Sequence, residues 1–194
     1  MSPRPKSDAQ ERIVNAACDL FYRQGYHSTS VDQVIAAAGV SKPTVYNYFP
    51  RKEDLCVGYL EERTRREFEM MDSSFKNLKT ARKRYSAIIR HVKKRIKSWE
   101  YRGCGFMNML AEIPDPNSPI VAISKRYINA NRSLIVSIVQ ELKDSSADYA
   151  HLDVKAVADA YYLLIAGAIS TCQECREDWP IDRAIESVEV LLKK

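Results

Sequence analysis

Few residues in this chain are of a type and spacing that could do covalent chemistry. Cys172-Gln173-Glu174-Cys175 has the spacing of a redox or metal pair, but no strand–helix–strand pattern surrounds it, so it does not read as a thioredoxin-like site. A zinc centre needs further ligands, and His27, His91 and His151 show no paired spacing. There is no convergent set of acid, base and nucleophile and no phosphate-binding loop. A non-enzymatic protein without cofactor or metal is therefore expected, and a small α-helical enzyme is a distant alternative. A second stretch has a different chemistry. Residues 36–49 read AAAGVSKPTVYNYF: two serine or threonine hydroxyls, two phenols, one amide and one cation beside a glycine. Such groups form hydrogen bonds and bind; they do not break bonds. Hydroxyls and amides grip phosphates without many cations.

The elements that hold this stretch are helical. Ile13, Ala16, Ala17, Leu20 and Phe21 recur at helical spacing, and Gly25 is a natural stop for the first helix. Ser30-Val31-Asp32-Gln33 fits a capping box that opens a short second helix, with Val31, Val34, Ile35 and Ala38 inward. Gly39 ends it. Ser41 can cap a third helix whose Pro43 sits in the first turn, where no backbone donor is needed. Three short helices with a turn at Gly39-Val40-Ser41 describe a helix-turn-helix, whose last helix forms a ridge that fits a major groove about 12 Å wide. The same pattern also fits an ordinary helical hairpin in an all-α domain.

Further helices are predicted after Pro50 to about residue 74, over 81–99, 104–112, 118–143, 153–175 and 181–192. The fold class is all-α, with about nine helices. Six glycines and eight prolines leave few turns for a many-stranded sheet. The domain organisation predicted is a disordered basic arm over 1–7, a helix-turn-helix domain over 8–52 and a larger helical domain over 53–194.

The segment TSVDQVIAAAGVSKPTVYNYFPRKEDL resembles the N-terminal domain of the TetR family of bacterial transcriptional regulators. The similarity lies in the Thr29/Ser30 start, the Ala-Gly-Val-Ser turn, Pro-Thr-x-Tyr, the Tyr-Phe pair and Lys52-Glu53-x-Leu55, and covers roughly residues 10–55. It implies that Lys42 and Pro43 meet base edges, that Thr44 and Tyr46 donate hydroxyls to phosphates, and that Asn47 reaches a base or a phosphate. It implies a phosphate contact for Lys52, and a double role for Ser30 as cap and phosphate donor. Val45, Tyr48 and Phe49 read as packing against the first and fourth helices. One feature sits badly with a strongly basic reader: residues 1–55 hold seven Lys and Arg against six Asp and Glu, with Asp32 near the expected DNA face. The basic arm residues Arg4 and Lys6 either reach an adjacent groove or form a tail without contacts.

For the rest of the chain, Trp99, Phe106, Met107, Met109 and Leu110 are large and apolar and suit the lining of an apolar pocket, or plain core. Tyr127 and Tyr162 are weaker candidates for the same ligand site. The residues 153–175 are apolar on two sides, one stripe holding Ala158, Tyr161, Ile165 and Ala168, another Ala156, Ala160, Leu163, Gly167 and Ser170. With Ile181, Ile185, Val188 and Leu192 on the last helix, Ala158, Tyr161, Ile165 and Ala168 are taken as a two-helix contribution to a homodimer interface. The basic face of Lys93, Lys94 and Lys97 reads as solvated.

The function expected is a ligand-responsive repressor that binds a palindromic operator on double-stranded DNA as a homodimer and is released by a small apolar or amphipathic effector. A redox, electrophile or metal sensor using Cys104 or Cys172/Cys175 is the alternative on the same scaffold. The start MSPRPKSDAQ lacks a signal-peptide core, no apolar run is read as long enough to span a bilayer, and five cysteines fit a reducing compartment. No membrane partner and a cytoplasmic location follow as expectations.

Overall fold

The computed structural model of the chain describes residues 7–194. The residues Arg4 and Lys6 of the expected arm lie outside them. Ser7 belongs to a helix start and not to a tail: its Oγ accepts the Gln10 N–H at 3.2 Å and caps the first helix.

Among the described residues the chain is all-helical: α1 (Asp8–Gln24), α2 (Val31–Ala38), α3 (Lys42–Tyr48), α4 (Lys52–Phe75), α5 (Ala81–Ser98), α6 (Gly105–Glu112), α7 (Pro119–Ser145), α8 (Val154–Cys175) and α9 (Trp179–Val190). The helical spacing of the sequence predicts this class and these elements. A single 3-10 turn, Ala147–Tyr149, was not foreseen. The last helix begins at Trp179, two residues early, because Pro180 fits a first turn.

The chain divides into two compact units, Met1–Glu67 with Gly105–Arg126, and Phe68–Cys104 with Tyr127–Lys194. The division therefore falls within α4 and not at residue 52. Three short helices have too little apolar surface to close a core of their own. In the first unit α4 supplies Leu55, Cys56, Tyr59 and Leu60, all buried, and α6 supplies Phe106 and Met109. Phe21 of α1 meets Tyr59 at 5.9 Å between ring centroids, and the Cys56 thiol lies 3.7 Å from the Met109 sulfur.

Local chemistry in the first unit follows the sequence closely. Ser30 Oγ accepts from Gln33 N at 3.1 Å, and the Gln33 side chain accepts from Ser30 N at 2.7 Å, so the capping box is complete. Gly39 is left-handed (φ 61°, ψ 40°), which lets the chain leave α2 steeply. Arg12 of α1 donates to the carbonyls of Ala38 and Gly39, both at 3.1 Å, placing a cation on the negative end of α2. Val40 is half-buried, and of the three alanines before Gly39 only Ala38 is buried.

The loop after α1 is fixed by contacts distant in sequence. Thr29 is buried and donates to Gly25 O at 2.7 Å. Glu112, at the end of α6, accepts from His27 N at 3.0 Å, and its backbone carbonyl lies 3.0 Å from His27 Nε2. Gly25 has φ 88°, and a Cβ added there would stand 2.4 Å from Glu112 Oε1. Gly25→Ala should therefore cost about 2–3 kcal/mol in urea unfolding, from backbone strain plus a displaced Glu112 hydrogen bond. The loss should shrink by about 1 kcal/mol in a Glu112→Ala background, where the crowding carboxylate is gone. An equal loss in both backgrounds would show that the clash plays no part.

In the second unit the core is built from α5, the later part of α7, α8 and α9. Tyr85 and Tyr161 form its centre, with ring centroids 4.7 Å apart and edge-on. The charge asymmetry of the sequence is resolved in the same unit. The basic segment 76–102 holds eleven Lys and Arg, and the acidic C-terminal part answers four of them. Arg82 pairs with Glu189, Arg84 with Glu141, Lys93 with Asp182, and Lys97 with Asp178 at 2.6 Å. Lys93 and Lys97 are thus partnered on a face that stays solvated, with the Lys97 side chain 61% accessible.

α8 corrects another expectation. By length and composition it is apolar enough to cross a membrane. Its stripe Val157, Ala158, Tyr161, Ile165, Ala168, Ile169 and Cys172 lies in the core of the second unit, which accounts for much of that apolar character.

Candidate nucleic-acid interface

α3 is short because Ser41 starts it and Pro50 follows its end. Ser41 Oγ accepts from Thr44 N at 3.3 Å. Val45 and Phe49, one turn apart, are buried and anchor the ridge. The opposite face presents Lys42, Pro43, Tyr46 and Asn47, all exposed, with Tyr46 40% accessible. Thr44 is half-buried, and its hydroxyl lies 2.7 Å from Ser41 Oγ. Tyr48 keeps only part of the packing read for it. Tyr48 is 36% accessible, because it falls three residues after Val45 at the edge of the anchoring stripe. Its hydroxyl lies 2.7 Å from Ser7 Oγ, which links α3 to the α1 cap.

Charges flank this face sparingly. Lys42 Nζ is 3.2 Å from Asp32 Oδ1, and both side chains are well exposed. Asp32, in the first turn of α2 where the helix dipole favours an anion, is also the partner of the one cation on α3. Ser30 is exposed beside it at the start of α2. Lys52, at the start of α4, is half-buried with Nζ 4.4 Å from the Tyr26 ring centroid, and burial lowers its pKa. Arg51 is held by Asp54 through Nε at 3.0 Å and Nη2 at 2.7 Å, which holds the Asp54 carboxyl below its ordinary pKa. The exposed face of α3 presents hydrogen-bonding groups and one cation.

The six residues expected at a ligand site are divided between the units. Phe106, Met107 and Leu110 belong to the first and Trp99, Tyr127 and Tyr162 to the second. Phe106 is fully enclosed in the core of its unit. Tyr127 meets Phe68 at 5.9 Å between ring centroids, and Trp99 carries the Arg95 guanidinium 4.9 Å from its ring. Burial raises the pKa of Tyr162, which lies near Cys104. A groove of about 640 Å³ on α4 and α5 is lined by none of the six.

The dimer assignment needs a correction. Ala158, Tyr161, Ile165, Ala168, Ile181, Val188 and Leu192 are buried in the chain's own core, and Ile185 is packed against it. The large residues of α8 and α9 go inward because they fill the space against α5. The exposed stripe of α8 is the other one: Leu163 is 68% accessible, Gly167 has open space around it, and Ala156 and Ser170 lie on the surface. Trp179 and Val190 are the exposed apolar residues of α9.

All five cysteines are free thiols. Cys172 is buried, and burial raises its pKa, so it is poorly placed to react. No group of three His, Cys, Asp or Glu with metal-binding geometry occurs among the described residues.

Sequence reasoning missed Arg12, His27 and Glu112. Each acts through partners distant in sequence, and no local spacing announces it.

The first unit defines a class: a helix-turn-helix module with its ridge exposed. Residues 13–57 match the family model of bacterial regulatory proteins, tetR family. The chain is 31% identical over 78 residues to the fatty acid metabolism regulator protein of Bacillus subtilis, a match that covers 40% of each chain. It is 29% identical over 156 residues to the HTH-type transcriptional regulator RutR of Escherichia coli, covering 77% of this chain and 70% of that one. The fold is similar to that of a TetR-family transcriptional regulator from Streptomyces coelicolor, with a TM-score of 0.85 and 26% identity, covering 96% of this chain and 95% of that one. Residues 13–57 thus carry the helix-turn-helix of the tetR family, and the chain as a whole has the fold of a TetR-family transcriptional regulator.

Proposed function

We propose that this chain is a cytoplasmic DNA-binding repressor that reads a palindromic operator as a homodimer and is released by a small apolar or amphipathic effector. The observation that carries the reading is the exposed face of α3, where Lys42, Pro43, Tyr46 and Asn47 stand on a ridge anchored by Val45 and Phe49. Lys42 and Pro43 take the base edges; Thr44, Tyr46, Lys52 and Ser30 take phosphates; Asn47 reaches either. The half-sites lie about 34–36 Å apart or a multiple of it.

The dimer forms through the exposed stripe of α8, Leu163 and Gly167 with Ala156, and the exposed face of α9. Small residues there let a partner helix approach closely, and twofold symmetry doubles the few phosphate contacts of each subunit. The effector acts by binding one spacing of the reading heads better than another. Trp99, Tyr127 and Tyr162 of the second unit remain the candidates for contacting it. The tie from His27 to Glu112 gives α6 a direct hold on the loop before α2.

The test is selection of random DNA fragments by the pure protein, repeated with candidate effectors. Enrichment of a palindrome, lost on adding an effector, supports the reading; failure to enrich any palindrome sinks it. Asp32→Asn should tighten binding to all DNA about two- to fivefold, because it releases Lys42 and removes an anion from the face. Fluorescence anisotropy on unrelated duplexes at one salt concentration measures this, and weaker binding would show that Asp32 positions Lys42 productively.

A further inference from the structure

Apart from Arg95, which lies over the Trp99 ring, α5 carries its cations in two sets that the structure treats differently. Arg82, Arg84, Lys93 and Lys97 each meet a carboxylate. Lys83, Arg90 and Lys94 have no acidic partner among the described residues, and all three are exposed. They line the groove of about 640 Å³, walled on its other side by Ser74 of the last turn of α4 and by Leu78 of the following turn. No carboxylate lines it. Its size falls in the range of small-molecule sites, about 300–1,000 Å³.

Lys83, Ala87, Arg90 and Lys94 succeed one another at intervals of four, three and four residues, so they share one helix face. Lys83 and Lys94 are about 16 Å apart along the axis at 1.5 Å per residue. Like charges at Arg90 and Lys94 repel one another across one turn, a cost that no intramolecular acid offsets. Arg82 is held at the groove by Glu189, to which Ser86 also donates at 2.9 Å. The groove therefore carries three unneutralised cations, with Leu78 and Ala87 as its apolar lining.

We propose that this groove is a binding site for a small organic polyanion, with at least two phosphate or carboxylate groups spread along α5. The cations at the two ends of the stripe take separate anionic groups, and Leu78 and Ala87 contact the carbon framework between them. The site is separate from the operator-reading face and does not depend on it.

Isothermal titration of the full chain at constant ionic strength tests it, with sodium tripolyphosphate, citrate and inorganic phosphate as probes. Saturable binding of one tripolyphosphate or one citrate per chain is expected, tighter than inorganic phosphate; the tighter of the two identifies phosphate or carboxylate as the preferred group. Arg90→Ala with Lys94→Ala should weaken it on the order of tenfold or more. A control pair on α7, Lys125→Ala with Arg126→Ala, should leave it unchanged, and thermal unfolding should show both variants folded. No saturable binding overturns the proposal, as does equal weakening by the control pair. If the groove pair weakens non-specific DNA binding as much as polyanion binding, the surface is a nucleic-acid contact and the proposal is equally overturned.

Discussion

Tyr161→Ala is expected to destabilise the chain by about 3–5 kcal/mol, a large part of the stability of an ordinary domain. Tyr161 is fully buried, and its ring meets Tyr85 edge-on at 4.7 Å. Its hydroxyl donates to Tyr85 O at 2.6 Å and accepts from Ile89 N at 3.2 Å. Those two backbone groups stand four residues apart in α5, so the phenol binds the backbone of α5 across one turn. Alanine removes the ring and leaves a cavity and two polar groups without their side-chain partner. Tyr161→Phe keeps the ring and should cost about 1–2 kcal/mol. Urea unfolding at two protein concentrations measures both. A loss below 1 kcal/mol for alanine, or a loss confined to the concentration-dependent part, would return Tyr161 to a subunit interface.

The second large effect concerns α3. Tyr46→Phe should weaken binding to every duplex alike, because a phosphate contact carries no sequence information. A hydroxyl donating to a charged phosphate contributes about 1.5 kcal/mol, so two copies in a dimer make the loss on the order of a hundredfold. Lys42→Ala should behave differently. It removes a base-edge donor, so the preferred sequence should relax at one symmetric pair of positions by about tenfold in discrimination. Random-DNA selection with each variant, followed by anisotropy on the enriched and on unrelated duplexes, separates the two. A changed sequence preference for Tyr46→Phe, or a uniform loss for Lys42→Ala, would exchange the roles assigned to these residues.

The first unit was largely legible in the sequence because its signals are local. Ser30 with Gln33, Gly39 and Ser41 with Pro43 each act within one turn of themselves. The apolar spacing of α1 likewise names its own buried face. Tyr48 is less packed than its pattern suggests because a seven-residue helix fixes its edge poorly by periodicity alone, and one side of the anchoring stripe looks like the other. The groove on α5 was invisible because a run of cations looks the same whether its acids lie opposite or are missing. Their absence beside Lys83, Arg90 and Lys94 shows only once α7 and α9 are placed.

The sequence by itself determined the helices, their caps and the ridge of α3, since capping, glycine conformation and apolar periodicity are decided by neighbours in the chain. It could not decide which of two apolar stripes on α8 faces inward. Both run unbroken along the helix, and the packing of Tyr161 against Tyr85 turns one stripe into core and leaves Leu163 and Gly167 outside. The tertiary structure likewise decided that α6 closes the first unit, because the contacts of Glu112 with His27 join residues that no local pattern connects.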